Sequence, residues 1–143
     1  MTEGARKARN RTKLTELNQW LRPKVAAIVS DLEGHGWRPR IQQGWRSPEE
    51  QRRLKREGRS RVAWGFHNAT TPYGLPDALA VDVVNDDNPY SEPALFAEHL
   101  ERSAKAHWLM TGRRWRTLHD PWHVQPRPET LTIAQARAGR RPT

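Results

Sequence analysis

Four short stretches carry side chains that could do chemistry together. In His119-Asp120-Pro121-Trp122-His123, a carboxylate and an imidazole stand three residues apart around a proline turn. In a turn-to-strand setting both can face one cleft. His123 could then ligate a cation, while Asp120 takes a proton from a metal-bound water whose pKa zinc lowers to about 7. His119 is an alternative ligand, and a polar surface turn with His123 on an edge strand accounts for the same spacing. In Ala80-Val81-Asp82-Val83-Val84 a carboxylate interrupts an apolar run. Burying it costs several kcal/mol, roughly, unless it is paired or bound to a metal. Period-two alternation places Ala78, Ala80, Asp82 and Val84 on one face, with space above the small alanines. An aspartate turned to solvent, or paired with one of the many arginines, is the competing reading. His67 lies in Gly65-Phe66-His67-Asn68, at the opening of a long loop. Arg46 stands between a strand and a helix start, where a guanidinium can clamp a carboxylate or a developing oxyanion.

Together these residues amount to three nitrogen and oxygen ligands, one spare carboxylate and one guanidinium. Three protein ligands with an open fourth position describe a catalytic zinc site. The chain has no cysteine, so any metal must be held by His, Asp or Glu, and no disulfide framework supports the fold.

The elements that must position these groups are legible in outline. The chain has 143 residues, the size of one compact domain. Its first dozen residues and its tail, 136–143, are polar and basic, and are expected to be flexible arms. Leu14, Leu17, Leu21, Val25, Ile28 and Leu32 recur at helical spacing. Pro23 divides them into a short helix to about Leu21 and a second one stopped by Gly34 and Gly36. Residues 37–44 alternate as a strand. Ser47-Pro48-Glu49-Glu50 announces a helix with a cap, a first-turn proline and a capping box, and Gly58 ends it. Residues 59–77 read as loop, and 78–84 as a buried strand. A helix starts at Ser91 or Glu92, with Phe96, Leu100, Ala104 and Trp108 on one face, and ends at Gly112. Residues 115–118 and 122–125 read as strands. Without a regular βαβ rhythm, this pattern indicates an α+β fold with a small, mainly antiparallel sheet flanked by helices.

The order of the motifs resembles a known family. Gly44-Trp45-Arg46-Ser47 with Glu50-Gln51, then Gly58-Arg59-Ser60, Phe66-His67-Asn68, Ala80-Val81-Asp82 and Asp120-Pro121-Trp122-His123 are similar to the zinc D-alanyl-D-alanine carboxypeptidases and L-alanyl-D-glutamate endopeptidases. That family includes phage endolysins and shares its fold with the zinc domain of Hedgehog proteins. The resemblance spans about Leu21 to Gln125. It implies one Zn2+ on His67, Asp82 and His123, Asp120 as general base, Arg46 as stabiliser of the scissile carbonyl, and Gln51 and Ser60 as supports of the cleft; Tyr73 and Trp122 are further candidate substrate contacts or supports. The substrate implied is a peptidoglycan stem peptide, cut by a monomer. Two departures stand out. Many members have a serine where this chain has Gly65, and fewer residues between the first histidine and the aspartate. Here fifteen steps separate His67 from Asp82, which implies a longer lip with Tyr73-Gly74 at its turn, and makes Asp77 a rival of Asp82.

Net charge is +9, unevenly spread. Residues 1–65 hold 16 Lys/Arg against 7 Asp/Glu, residues 66–110 hold 2 against 7, and residues 111–143 hold 7 against 2. A basic body attracts an anionic cell wall, outer membrane or nucleic acid. A nucleic-acid-binding protein is therefore one rival reading, but no known module supports it, and the seven tryptophans are dispersed as core and cleft walls would be. Another cell-wall zinc hydrolase, such as a muramoyl-alanine amidase, is the second rival. No apolar run reaches the roughly 18 residues of a membrane span, and no signal-peptide pattern follows the basic start. The expectation is a protein made in the cytoplasm that meets the wall after release, as a phage lysin does.

Overall fold

The computed structural model describes residues 1–91 and 94–143. Its elements run α1 (Glu3–Leu14), α2 (Arg22–Gly34), β1 (Pro39–Gln43), α3 (Pro48–Arg56), a 3-10 turn (Phe66–Asn68), β2 (Val81–Asn85), α4 (Ala94–Ala106), β3 (Leu109–Gly112), β4 (Asp120–Pro126) and α5 (Ile133–Arg137). The strands form one sheet in the order β1-β2-β4-β3, each neighbour antiparallel. This is the α+β architecture expected. Among the described residues, no helix is long and apolar enough to cross a membrane.

The described residues form two apolar cores. The larger joins Leu21, Val25, Ile28 and Leu32 around α2 with Phe96, Leu100 and Ala104 of α4, against Ile41, Val81, Val83, Leu109 and Val124 of the strands. The smaller gathers Phe66, Ala69, Leu79, Ala80, Leu131 and Ala136. The first covers the helix side of the sheet. The second fastens the loop carrying His67 to the chain leading into β2. Ser47 caps α3 through a bond from Glu50 N (3.1 Å), with Pro48 in its first turn.

Several elements depart from the sequence expectation. The first dozen residues are not an arm: they form α1, with Arg6 and Asn10 buried. This helix docks through polar groups, not an apolar stripe. Arg6 Nη1 and Asn10 Nδ2 donate to Pro39 O (2.6 and 3.0 Å), Asn10 Oδ1 accepts from Ile41 N (2.9 Å), and Arg9 Nε donates to Ile41 O (3.0 Å). The side chains of α1 thereby close the outer edge of β1, whose unpaired backbone groups would otherwise invite another strand. The tail is also anchored. Ala136 is buried in the second core, and Arg141 binds Asp77 (2.7 Å) and Thr70 O (3.1 Å). The first leucines do not share one helix: α1 ends at Leu14, and Leu17 instead forms a bridge with Ala78. The alternative helix start at Glu92 lies outside the described residues. The helix ends at Ala106, and Trp108 takes a positive φ of 64° before β3. Residues 116–118 form a bend and 115 is irregular where a strand was expected, and Leu118 also has a positive φ, 58°.

Replacing Arg6 by Ala removes a hydrogen bond to a buried carbonyl and the packing of the arginine stem, a loss of about 1–3 kcal/mol. Urea denaturation should read that loss. A flexible arm predicts a change within about 0.5 kcal/mol, and such a result would refute the docked helix.

Candidate metal centre

Strand register creates the centre. Asp82 of β2 stands directly opposite His123 of β4, so the two side chains share one face of the sheet. On the other side of β2, Gln43 of β1 is the partner of Asp82. One row across three strands thus reads Gln43, Asp82, His123.

His67 reaches this row from outside the sheet. Phe66 is buried in the second core, and Asn68 is buried on the other side of the histidine. Asn68 Oδ1 accepts from Gly65 N (2.7 Å), and its Nδ2 donates to Arg46 O (2.9 Å). Arg46 N donates to His67 O (3.0 Å). The segments 44–46 and 65–68 are therefore laced together, and the imidazole between the anchors is held toward Asp82. Where many members of the resembled family have a serine, Gly65 leaves open space, and Asn68 ties the turn instead.

His67 Nε2 lies 3.3 Å and His123 Nδ1 3.2 Å from Asp82 Oδ1. The three ligand atoms lie within 4.8 Å of one another. Each imidazole has its second nitrogen engaged. His67 Nδ1 meets Gly44 O at 2.7 Å, and His123 Nε2 meets Gln125 Oε1 at 2.8 Å. A carbonyl oxygen only accepts, so the proton of each neutral ring sits on the outer nitrogen. The inner nitrogens are left with lone pairs aimed at a carboxylate. One cation placed between three such donors would satisfy them all. A tetrahedral ion with bonds of about 2.0–2.1 Å to N and O sets its ligands about 3.3 Å apart, which matches both Asp82 distances. The residues present fit zinc.

The electrostatics agree with the geometry. Burial pushes the Asp82 carboxyl up, but His67 and His123 outweigh it and hold the group well below the ordinary carboxylate range. For His123, burial works against the charged ring, yet the bond and charge of Asp82 leave its pKa raised. Asp120 moves the other way. Burial and then the charge of Asp82 raise its pKa, against the pull of His123, the Trp122 N–H and His67. The centre therefore holds two carboxyls driven apart, Asp82 toward the ionised form and Asp120 toward the protonated one.

Arg46 is backed by amides. Its Nη1 donates to Gln51 Oε1 (3.0 Å) and its Nη2 to Gln43 Oε1 (3.4 Å). Gln51, itself buried, donates to Ser60 Oγ (3.0 Å) and Val62 O (2.7 Å). Among the described residues no carboxylate forms an ion pair with Arg46, so its charge remains available beside the row that holds Asp82.

Other expected residues lie elsewhere. Asp77 is committed to Arg141 and to Asn18 Nδ2 (3.0 Å) and is no rival ligand. His119 is not in the ligand group. Trp122 lies on the side of β4 opposite His123 and packs, partly buried, against the larger core. Tyr73 is 90% exposed on a hairpin tip whose base pairs Thr70 with Pro76 and whose turn uses Gly74 at φ 80°.

Sequence reasoning missed three contributors. Gln125 orients His123, and its place two residues along the same strand was a usable signal. Trp115 sets its ring 5.5 Å from that of His123. Gly112 pairs with Asp120 at a register shift, where a Cβ would stand 2.6 Å from Asp120 O and 2.6 Å from the Trp115 ring. No local pattern marks either of these last two.

The fold is shared with solved peptidases. The Serratia marcescens L-Ala D-Glu endopeptidase ChiX superposes with a TM-score of 0.61 at 23% identity, covering 85% of this chain and 89% of its own. The L,D-carboxypeptidase DacB of Streptococcus pneumoniae gives 0.54 at 16%, covering 85% and 70%. The vancomycin-resistance D,D-pentapeptidase VanY, in complex with Zn(II), gives 0.50 at 15%, covering 85% and 76%. No protein-family description matches the chain, and neither does any curated protein sequence.

Two outcomes follow. Gln125→Leu, which frees the outer nitrogen of His123, should weaken zinc affinity about 10- to 100-fold in competition with a chromogenic chelator; unchanged affinity would disprove the orienting bond. Gly112→Ala should cost about 1–3 kcal/mol through overpacking and displace the amide resonances of Asp120 and Trp115. A variant as stable as the native chain, with those resonances unmoved, contradicts the close approach.

Proposed function

We propose that this chain is a zinc-dependent peptidase that hydrolyses peptide bonds in peptidoglycan stem peptides. The convergence of His67 Nε2, Asp82 Oδ1 and His123 Nδ1, each ring oriented by an acceptor behind it, is the observation that carries the reading. The fold shared with peptidoglycan-acting enzymes supports it. An L-alanyl-D-glutamate cut is the first expectation, because ChiX matches most of both chains; a C-terminal D,D cut is the second.

His67, Asp82 and His123 would hold the ion. Bound zinc polarises a carbonyl and acidifies water. Asp120 supplies the proton traffic: its raised pKa suits a group that accepts a proton from the attacking water and returns it to the leaving amine. Arg46, held by Gln43 and Gln51 and in no ion pair among the described residues, balances the charge that develops on the carbonyl oxygen. Ser60 acts at one remove by fixing Gln51. The positive net charge favours approach to an anionic wall or outer-membrane surface.

Purified cell walls and stem peptides provide the assay. Chelation should abolish hydrolysis and added zinc restore it. Asp120→Asn should keep about one equivalent of zinc and lose roughly 100- to 10,000-fold in kcat. Full activity in that variant would remove Asp120 as the base, and chelator-insensitive hydrolysis would remove the metal. Mass spectrometry of the products locates the bond. Intact stem peptides beginning at L-alanine, released from bare glycan, would identify an amidase instead.

A further inference from the structure

The two edges of the sheet are finished differently. Side chains of α1 bond the outer edge of β1. At the opposite edge, β3 borders a cavity of 780 Å3, a volume within the usual range for ligand sites. Leu109, Met110 and Thr111 all line it. Consecutive strand residues point to opposite faces, so a cavity that reaches all three runs along the strand edge. An extended peptide can add to such an edge through its backbone.

Two residues that line the cavity also contact the metal centre or its support. Trp115 lines it and sets its ring 5.5 Å from His123. Met110 lines it and receives Gln125 Nε2 at its sulfur (3.9 Å), while Gln125 Oε1 holds His123.

Its charge is unbalanced. Glu98 pairs with Arg102 (3.0 Å), and Glu101 is shared by Arg113 (3.4 Å) and Arg114 (3.0 Å). Among the described residues, Lys105 and Arg127 pair with no carboxylate. Arg127 donates Nε to Leu109 O (3.4 Å) and Nη2 to Lys105 O (3.3 Å), and its Nη1 takes part in no hydrogen bond among the described residues. An open strand edge, an apolar wall shared with the reaction centre and two unpaired cations occur in one place.

We infer that this cavity is a subsite for an extended segment of the peptide substrate that carries a free carboxylate, its backbone along β3 and its carboxylate met by Lys105 and Arg127. The inference rests on the peptidase reading above. A long phosphate polymer would find better purchase on a flat basic surface than in a cavity walled by Leu109, Met110 and Trp115.

The test compares a stem peptide bearing its D-glutamate carboxylate with the same peptide as a carboxamide. Binding to zinc-free protein is read by titration of tryptophan fluorescence, and hydrolysis is read separately with zinc present. Native protein should favour the free acid by about tenfold, the worth of one charge-assisted contact. Lys105→Ala/Arg127→Ala should erase that preference, as should Lys105→Glu, which disturbs no hydrogen bond among the described residues. Equal affinity of native protein for both peptides overturns the subsite, as does a preference that survives the substitutions. Inorganic polyphosphate displacing the free acid at equal or lower concentration overturns it in favour of a phosphate ligand. Carboxylate-dependent binding with no hydrolysis upholds the subsite and defeats the peptidase reading; hydrolysis with no carboxylate preference does the reverse.

Discussion

The register of β2 against β4 is the constraint on which the rest of the molecule depends. It sets Asp82 opposite His123 and no other residue. A slip of one position would turn the aspartate into the helix-side core and bring valine to the metal face. Val81 and Val83 oppose that slip, because both are fully buried against the helices. The apolar residues flanking the carboxylate therefore do more than fill space. They hold the register that brings a costly charge to the one place where two imidazoles offset its desolvation.

From that row, each further group is added by a bond that a carbonyl or amide completes. Gly44 O orients His67, Gln125 orients His123, and Gln43 and Gln51 orient Arg46. None of these partners is charged. A carboxylate behind Arg46 would neutralise the cation that a developing oxyanion needs. A charged group behind either imidazole would also shift its proton balance. Neutral acceptors fix direction and leave the charges free for the ligand, which explains why a chain with 16 acidic residues brings so few of them to this face.

How much of this the sequence disclosed depended on the range of each interaction. Asp120 and His123 were legible as neighbours, and Asp82 as a carboxylate in an apolar run. The cap of α3 was legible because Ser47, Pro48 and Glu50 act within one turn. His67 depended on resemblance, since its place comes from lacing two segments more than twenty residues apart through Asn68 and Arg46. α1 was invisible for another reason. Its buried residues are Arg6 and Asn10, so it has no apolar stripe for periodicity to find. Trp122 sits next to His123 in the sequence, but alternation along β4 sends the two side chains to opposite sides.

The fifteen steps between His67 and Asp82 are built into the same scheme. The hairpin from Thr70 to Pro76 is tied at its base by the Thr70–Pro76 bridge and through its turn by Thr71, which bonds Tyr73 N, Gly74 N and Leu75. Arg141 binds Asp77 and Thr70 O, Asn18 binds Asp77, and Trp45 Nε1 donates to Thr70 Oγ1 (3.2 Å). Residues from near the start, the middle and the end of the chain thus meet at one joint beside the metal row. The apolar side chains of Tyr73 and Leu75 are left in solvent at the tip, 90% and 60% exposed. The anchoring of α5 and Arg141 is therefore part of how the segment bearing His67 is positioned.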